Sequence, residues 1–388
     1  MERIHFSFTG SDKLTPFLRK LGLLKQEHPT LLYRLCFSVL LTWLPLLILT
    51  AIEGRATGSS VEVPFLSDLI QHARFLIALP LALWAESYIS QRLEKTLNLF
   101  PESGIIAGEE LTRYKTVVEK AKNWINSKLI LLLILIFIYL YTSLGLAREL
   151  SPDISTWYRS PLSNPKTVAE IWYVWVSMPV FLFFLFRWVW RIGIWNLLLF
   201  RISRLKLQLN SAHPDDAGGL RFVSVGQRRF SLLVFCISVI MSASIGEEVI
   251  FGGAKLESFE LELLAFLLIS VLLTLAPLLV FTPPLIRAKL RDWGAYGVAA
   301  SDYTRQFDAK WIWKTVPAKE LWLGTSDIQS LADLRNSIEG LQRMKTLLPD
   351  KETAGILLLF FTLPFIPLVL TLIPAKQILT KLSSLLLR

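Results

Sequence analysis

Ionisable side chains lie inside two long apolar runs of the chain, at 69–90 and 230–251. In chain order they are His72, Arg74, Glu86, Glu247 and Glu248. A charged group costs free energy inside a bilayer, so such residues are rare in membrane spans unless they are paired or functional. Three interpretations are open: an ion pair that fixes helix packing, the lining of an ion or proton path, or side chains that reach out to the interface.

The depth of each ionisable residue in the membrane indicates which of these residues can form contacts. If successive runs cross in opposite directions, His72 and Arg74 lie at the same level as the two glutamates of the later run, with opposite charge. Glu86 then lies near the other end of its run, at the level of Arg187. The sequence therefore allows an outer pair, an inner pair or both.

A basic and aromatic stretch, RWVWRIGIWNLLLFRISRLKLQL, continues the fourth apolar run. At 100° per residue, Arg187, Arg191 and Arg201 fall within a stripe about 80° wide and about 21 Å long. One interpretation is an amphipathic extension whose guanidinium groups meet lipid phosphates while its Trp rings lie at headgroup level. The other is an Arg-lined inner vestibule that attracts anions or an acidic partner.

The residues that follow, 213–220, read HPDDAGGL. A proline fixes φ, aspartates cap backbone N–H groups, and glycines permit positive φ. Residues of these types here are Pro214, Asp215, Asp216, Gly218 and Gly219. The composition predicts a sharp turn. As a site, His213 with Asp215 or Asp216 could hold a divalent cation, with a further ligand from elsewhere, or form a proton-sensitive gate.

Catalytic signatures are missing from the sequence. It contains no HExxH, CxxC, GxSxG, GxxxxGK[ST] or GxGxxG motif and only four histidines. These motifs carry metal, nucleophile or phosphate chemistry in many enzymes. The two cysteines, Cys36 and Cys236, lie inside predicted spans, so a disulfide framework is not expected. The sequence therefore indicates neither an enzyme class nor a cofactor.

The composition is that of a membrane protein. Apolar residues make up 53% of the chain and charged residues 19%, and several windows exceed the roughly 18 apolar residues that mark a bilayer span. Much of the abundant Trp lies near the ends of these windows, as interfacial anchors do. In this setting the net charge of +10 favours contact with anionic lipid headgroups rather than with nucleic acid.

The apolar runs predict six spans, at about 31–52, 69–90, 129–147, 168–186, 230–251 and 261–282. We expect a kink at Pro179 and an end of the sixth span at Pro283-Pro284, because proline lacks the backbone donor. The last run, 354–374, forms either a seventh span or a re-entrant hairpin broken at Pro364 and Pro367. The predicted units are an amphipathic cytoplasmic N-terminus (1–30), spans one to six with a cytoplasmic helical loop at 91–128 (31–286), a cytoplasmic helical segment (287–353), and the last membrane segment with an amphipathic tail (354–388).

The distribution of Lys and Arg decides the orientation. Basic residues are concentrated at 1–34, 91–128, 187–229 and 287–353. The intervening loops hold only Arg55, Arg148, Arg159, Lys166 and Lys255. By the positive-inside rule the N-terminus and the basic segments are therefore cytoplasmic.

Two stretches carry a resemblance to a known family. The order RWVWR, SRLKLQL, HPDDAGGL and later GTSDIQSLADLRNSIEGLQRMK resembles a family of uncharacterised bacterial multi-pass inner-membrane proteins, in which the turn reads approximately HPDxAGGLGFL. The match covers mainly 187–223 and 324–345, and Arg221 stands where that pattern has glycine. The resemblance implies a bacterial inner-membrane location and no particular substrate. It singles out His213, Pro214, Asp215, Gly218, Gly219, Asp327, Gln329, Ser330 and Asp333.

We therefore expect an all-α polytopic membrane protein with six or seven transmembrane helices and a helical cytoplasmic layer, in which the turn 213–220 packs against the SDIQSLADL helix. The charges inside the spans favour an ion channel or transporter with a regulatory site at the cytoplasmic face. Two alternatives stay open: a membrane-anchored signalling or effector module that binds a cytoplasmic protein or small ligand, and a membrane-embedded lipid-modifying enzyme. A homo-oligomer is compatible with each.

Overall fold

The computed structural model describes Phe6 and residues 31–58, 60–144, 155–158, 167–315 and 326–372. The helices, in chain order, are α1 (Leu31–Ile52), α2 (69–102), α3 (Glu109–Ile125), α4 (Lys128–Ser143), α5 (Val168–Ser203), α6 (Arg221–Ile250), α7 (Leu256–Ile312), α8 (Ser326–Arg343) and α9 (Lys351–Leu370). Within these ranges the only β pairing is an isolated bridge between Val63 and Thr156. The predicted all-α polytopic fold is confirmed.

Six helical segments are long and apolar enough to cross a membrane: α1, the α3–α4 segment, α5, α6, α7 and α9. Helix α2 is less apolar because it carries Arg74 and Glu86, and it lies inside the bundle in contact with α1, α5 and α6. The end of the bundle that contains Glu86 is called the inner end below. The end that contains Arg74 is called the outer end.

Helix α9 runs beside α6 along most of its length. Glu352 meets Arg228 at the inner end, and Leu368 packs near Ile245 at the outer end. A short 3₁₀ turn, Leu363–Phe365, contains Pro364, and the helical segment Ile366–Leu372 that follows it contains Pro367. The described part of the last run therefore forms a helix along the length of α6 rather than a hairpin, and it is one of the six segments long and apolar enough to cross a membrane. Residues 373–388 lie outside the described residues.

The prediction that the sixth span ends at Pro283-Pro284 was wrong. A 3₁₀ segment, Ala276–Phe281, precedes these prolines, and they occupy the first turn of the α-helical segment Thr282–Phe307. Proline is tolerated in a first turn because its missing N–H would have no partner there anyway. Helix α7 consequently continues beyond the bundle and forms a hairpin with α8.

Two π-helical turns lie directly before prolines. Ala73–Ala78 in α2 precedes Pro80, and Tyr173–Ser177 in α5 precedes Pro179. A proline inside a helix cannot donate its hydrogen bond and clashes with a carbonyl of the previous turn, and a wider turn relieves both problems. The irregularity expected at Pro179 thus takes the form of a π-helical turn, a rare element that is frequent at functional sites.

Two apolar cores hold the bundle together. The outer core includes Phe65, Phe75 and Trp157. The inner core includes Phe100, Trp195 and Phe281 and extends into the layer formed by α3, the turn 213–220 and the start of α7. Phe6 is buried in the inner core and contacts Trp195, while the rest of the predicted N-terminal segment 1–30 lies outside the described residues.

Candidate functional site

A buried glutamate at the inner end is surrounded by arginines from two other helices. Glu86 Oε1 accepts hydrogen bonds from Arg191 Nη2 at 2.6 Å and from Arg187 Nη2 at 2.8 Å. Glu86 Oε2 lies 3.5 Å from Arg34 Nη2. We call these four residues the inner cluster. Because α1, α2 and α5 each contribute to it, the cluster forms only when the three helices pack together.

Aromatic rings orient the guanidinium groups of the inner cluster. Arg191 lies over the Trp188 ring with its Cζ 5.6 Å from the ring centroid, and Arg187 lies 6.0 Å from the Phe183 centroid. Trp188 Nε1 in turn donates to the carbonyl of Ala82 on α2. Cation–π contacts of this kind add attraction in a desolvated site, so the arginines are held in place by more than the carboxylate.

The four side chains of the inner cluster differ in access to solvent. The side chains of Glu86 and Arg191 are 1% and 2% exposed, whereas those of Arg187 and Arg34 are 17% and 23% exposed. Three positive charges share one carboxylate in this group. Glu86 and Arg191 therefore form the buried part of the inner cluster, and Arg34 and Arg187 form the part that solvent can reach.

The structure contains the inner pair between Glu86 and Arg187 that the sequence allowed, but the three arginines expected to share one stripe have different partners. Arg191 joins the cluster, whereas Arg201 lies over Trp124 with its Cζ 5.2 Å from the ring centroid. The reason is that α3 packs against this later part of α5. Arg34 was missed, because a single arginine at the start of an apolar run reads as an ordinary interfacial anchor.

A second group of polar residues, the outer cluster, surrounds Arg74. The Arg74 Nη1 donates to Gln71 Oε1 at 3.0 Å and to the Tyr173 hydroxyl at 3.1 Å, and Gln71 Nε2 also donates to this hydroxyl at 3.1 Å. The guanidinium lies 5.2 Å from the Phe181 ring centroid. Arg74 and Tyr173 each belong to a π-helical turn, so the two irregular turns meet at this cluster.

Glu247 is brought to the outer cluster from α6. It is fully buried, and its Oε1 accepts a hydrogen bond at 2.8 Å from the backbone N–H of Ile70, which lies four residues before Arg74. Glu248 is partly exposed and lies next to the loop, where its carbonyl accepts from the Ala254 N–H. Of the two glutamates, Glu247 is therefore the one that belongs to the outer cluster.

His72 does not meet either glutamate, so that part of the predicted pairing was wrong. Its Nδ1 accepts a hydrogen bond from Trp43 Nε1 at 3.0 Å, and its Nε2 lies 3.2 Å from the carbonyl of Leu66. A nitrogen facing a carbonyl must donate, so both contacts are satisfied only by the neutral tautomer protonated at Nε2. His72 thus links α2 by hydrogen bonds to α1 and to the 3₁₀ turn at 65–67.

The helix between Arg74 and Glu86 rises about 18 Å at 1.5 Å per residue. An apolar cleft lies between the two clusters, and its lining includes Ala78, Leu79, Ala82, Phe181 and Leu185. Cys236 of α6 closes one side of the cleft. The clusters therefore lie at two levels of the same α2–α5 contact, with an apolar section between them.

The turn 213–220 is built around the carboxylate of Asp215. Its Oδ1 accepts from the N–H groups of Ala217 and Gly219, at 2.9 and 3.0 Å, and its Oδ2 accepts from the Arg221 N–H at 3.0 Å. The His213 Nδ1 lies 2.8 Å from Oδ1. Partial burial opposes ionisation, yet these hydrogen bonds hold the pKa of Asp215 below its ordinary value.

The structure does not support the predicted metal site. Among the described residues no group of three His, Cys, Asp or Glu side chains could hold a metal ion. The Asp215 oxygens are already engaged by backbone N–H groups, and Asp216 adopts a positive φ of 53°. The residues proposed as ligands, His213, Asp215 and Asp216, instead shape the turn.

The turn packs against the end of α8 that is opposite to SDIQSLADL. A Cβ built on Gly218 would lie 3.0 Å from Met344 Cε and 3.1 Å from Leu285 Cδ2, and the Asp216 carbonyl accepts from the Lys345 N–H at 2.7 Å. Pro214 is exposed. The turn thus contacts the first part of α7 and the residues that follow α8.

The SDIQSLADL segment lies at the far end of the α7–α8 hairpin. Asp327 Oδ2 accepts from Lys310 Nζ and Trp311 Nε1, both at 2.9 Å, and its carbonyl accepts from the Tyr303 hydroxyl. Leu285 and Tyr303 are separated by about 27 Å of helix, so the predicted contact with the turn was wrong. The other singled-out residues of the segment, Gln329, Ser330 and Asp333, are exposed, and Gln329 bonds Asp333 within the helix.

These features define the class of protein: an integral, multi-pass, all-α membrane protein with two buried polar clusters between its helices. No protein-family model, curated protein or solved structure matches the chain.

Proposed function

We propose that the protein moves an ion or a small charged solute across the membrane, as a channel or transporter, along the contact between α2 and α5. The observation that supports this proposal is the presence of buried charged groups at two levels of that contact, Arg74 at the outer end and Glu86 with Arg191 at the inner end, where the partly buried Arg187 joins them. Ionisable residues in membrane spans commonly mark solute paths.

Packing alone is a weak explanation for these charges. Burying an ion pair costs desolvation that its attraction only roughly repays, and apolar replacements are often neutral or stabilising. The inner cluster also brings charged side chains from three helices to one buried carboxylate. A role in passing charged solute would explain why charged groups are kept at this contact.

The apolar section between the clusters keeps the path closed in the described conformation. Its residues, among them Leu79, Ala82 and Phe181, offer no polar partner to a charged solute. Hydrophobic constrictions of this kind gate channels by excluding water. The π-helical turns at the outer cluster provide the place where α2 and α5 can change register and open this section.

The α7–α8 hairpin supports a regulatory role at the inner face. Helix α7 continues from the membrane segment into the hairpin, so a partner or ligand that moves the hairpin also acts on the bundle. The turn 213–220 links the start of this hairpin to α5 and α6. With the basic segments taken as cytoplasmic, we propose a bacterial inner-membrane protein with its N-terminus inside and a regulatory site on this layer.

Accessibility of the cleft to water-soluble reagents tests the proposed path. With Cys36→Ser and Cys236→Ala in the background, we expect Ala82→Cys in reconstituted vesicles to react with the anionic reagent sulfonatoethyl methanethiosulfonate each time the apolar section opens. The matched control is Leu132→Cys on the exposed face of α4, which should react only with an apolar, membrane-soluble maleimide. If both cysteines react only with the maleimide, the cleft faces lipid and the proposed path is wrong.

A further inference from the structure

A group of aromatic and basic side chains lies at the surface where α2 meets the first part of α6. Trp84 and Tyr88 of α2 stack with their ring centroids 4.9 Å apart. The guanidinium carbons of Arg92 on α2 and Arg229 on α6 lie 5.7 and 5.6 Å from the Tyr88 ring centroid. These four residues are called the surface group. We infer that the surface group binds the phosphate of an anionic phospholipid, a partner that goes beyond the proposed transport activity.

The Tyr88 hydroxyl supplies a hydrogen-bond donor to this site. Its oxygen accepts a hydrogen bond from Arg229 Nη1 at 2.6 Å. A phenolic hydroxyl both accepts and donates, and no described residue accepts its hydrogen. A phosphate oxygen placed beside this contact can therefore accept from the Tyr88 O–H and from a remaining N–H of the Arg229 guanidinium.

The two arginines of the surface group have no carboxylate partner among the described residues. Arg229 bonds the Tyr88 hydroxyl, and Arg92 lies beside the same neutral ring. Arg92 is exposed, as is Lys95, three residues further along α2. Hydrogen bonds from a guanidinium to phosphate are charge-assisted and stronger than neutral ones. The surface group therefore has both the charge and the donors that a lipid phosphate requires.

The order of side chains along α2 favours a lipid over a soluble anion. Arg92 belongs to a basic segment that the positive-inside rule assigns to the cytoplasmic side. Trp84 lies about 12 Å from it along the helix, and tryptophan is typical of the headgroup boundary. Trp84 is 37% exposed, and Ile77, nearer the middle of the bundle, is 47% exposed. The exposed residues therefore change from basic to aromatic to apolar, as a phospholipid changes from phosphate to glycerol to acyl chain.

A lipid at this position would connect two helices at the inner end of the bundle. Tyr88 and Arg92 belong to α2, whereas Arg229 belongs to α6. The neighbouring Arg228 pairs with Glu352 of α9, so this part of α6 also contacts the last described helix. A phosphate bound by the surface group would therefore hold α2 beside the α6–α9 pair.

Native mass spectrometry of the full-length chain in detergent tests this site by titration with two lipids of identical acyl chains. The wild type should bind dioleoyl phosphatidylglycerol more tightly than dioleoyl phosphatidylcholine, because choline would place a positive charge beside the two arginines. Tyr88→Phe removes only the hydroxyl and should weaken phosphatidylglycerol binding roughly tenfold, as expected for one hydrogen bond to a charged group. Arg92→Gln should also reduce the preference. The matched control is Arg204→Gln, because Arg204 lies 4.9 Å from the centroid of the Phe200 ring, which has no hydroxyl, and this variant should keep the preference.

Three results would overturn the lipid site. These are equal wild-type affinity for the two lipids, unchanged phosphatidylglycerol affinity in Tyr88→Phe, and a loss in Arg204→Gln as large as that in Arg92→Gln. Glycerophosphoglycerol, the same headgroup without acyl chains, should not displace the bound lipid, and displacement would assign the site to a soluble phosphodiester instead. If Tyr88→Phe does not fold, Arg92→Gln decides alone, because Arg92 is exposed and its removal leaves the bond between Arg229 and Tyr88 in place.

Discussion

Replacing Glu86 by glutamine lowers the free energy of unfolding by about 3–5 kcal/mol, because removing one charge of a buried ion pair is strongly destabilising. The effect is large since Arg191 is almost fully enclosed and lies 2.6 Å from the carboxylate that is lost. We expect SDS-induced unfolding in mixed micelles to show this decrease.

The control for this prediction is Glu119→Gln on α3. Glu119 forms a surface ion pair with Lys122 at 3.5 Å, and both side chains are well exposed, so its loss should cost well under 1 kcal/mol. Arg187→Gln should also have a small effect, since Glu86 keeps Arg191. Equal unfolding curves for Glu86→Gln and Glu119→Gln would show that the inner cluster contributes little to stability.

Replacing Gly218 by alanine destabilises the protein by about 2–3 kcal/mol. Gly218 has a φ of +64°, where a Cβ costs about 1–2 kcal/mol. The new methyl group would also lie 3.0 Å from Met344 Cε and 3.1 Å from Leu285 Cδ2, so these side chains must shift. The same SDS titration measures the change.

Gly297→Ala on α7 is the matched control for this substitution. Gly297 is helical, and a Cβ at this position meets no atom within 4 Å, so alanine should stabilise the helix by up to about 1 kcal/mol. A Gly218→Ala protein as stable as the wild type would mean that the turn 213–220 does not dock on α7 and the residues after α8 as described.

The fold was predictable from the sequence because each membrane span is an apolar run long enough to recognise. Ends of helices were less predictable. Pro283-Pro284 looked like a stop, yet the preceding 3₁₀ segment places both prolines in a first turn. Whether a proline ends a helix or lies in the first turn of one depends on where the preceding helical segment ends. Composition does not specify that position.

The candidate site was predictable in part. Periodicity and depth correctly placed Glu86 level with Arg187, but they could not show which neighbour each face meets. Arg201 shares the helical stripe of Arg187 and contacts Trp124 of α3 instead. Arg34 joins the cluster from α1. Such assignments depend on the packing of three helices, and a single sequence carries no signal for this packing.

The contact expected between the turn 213–220 and SDIQSLADL failed for a similar reason. Both segments are polar and lie on the same side of the bundle, but α7 and α8 form a long hairpin that separates them. The turn docks at the base of the hairpin, near Leu285 and Met344, and Asp327 is held near its far end by Lys310 and Trp311.

Solute flux in proteoliposomes tests the transport proposal most directly. The wild-type protein should release at least one of two trapped ions, sulfate or potassium, faster than protein-free vesicles, Arg187→Gln should lose most of this flux, and Arg201→Gln should retain it. Flux that is absent in the wild type under both membrane polarities, or that falls equally in the two arginine variants, would contradict a path along α2 and α5.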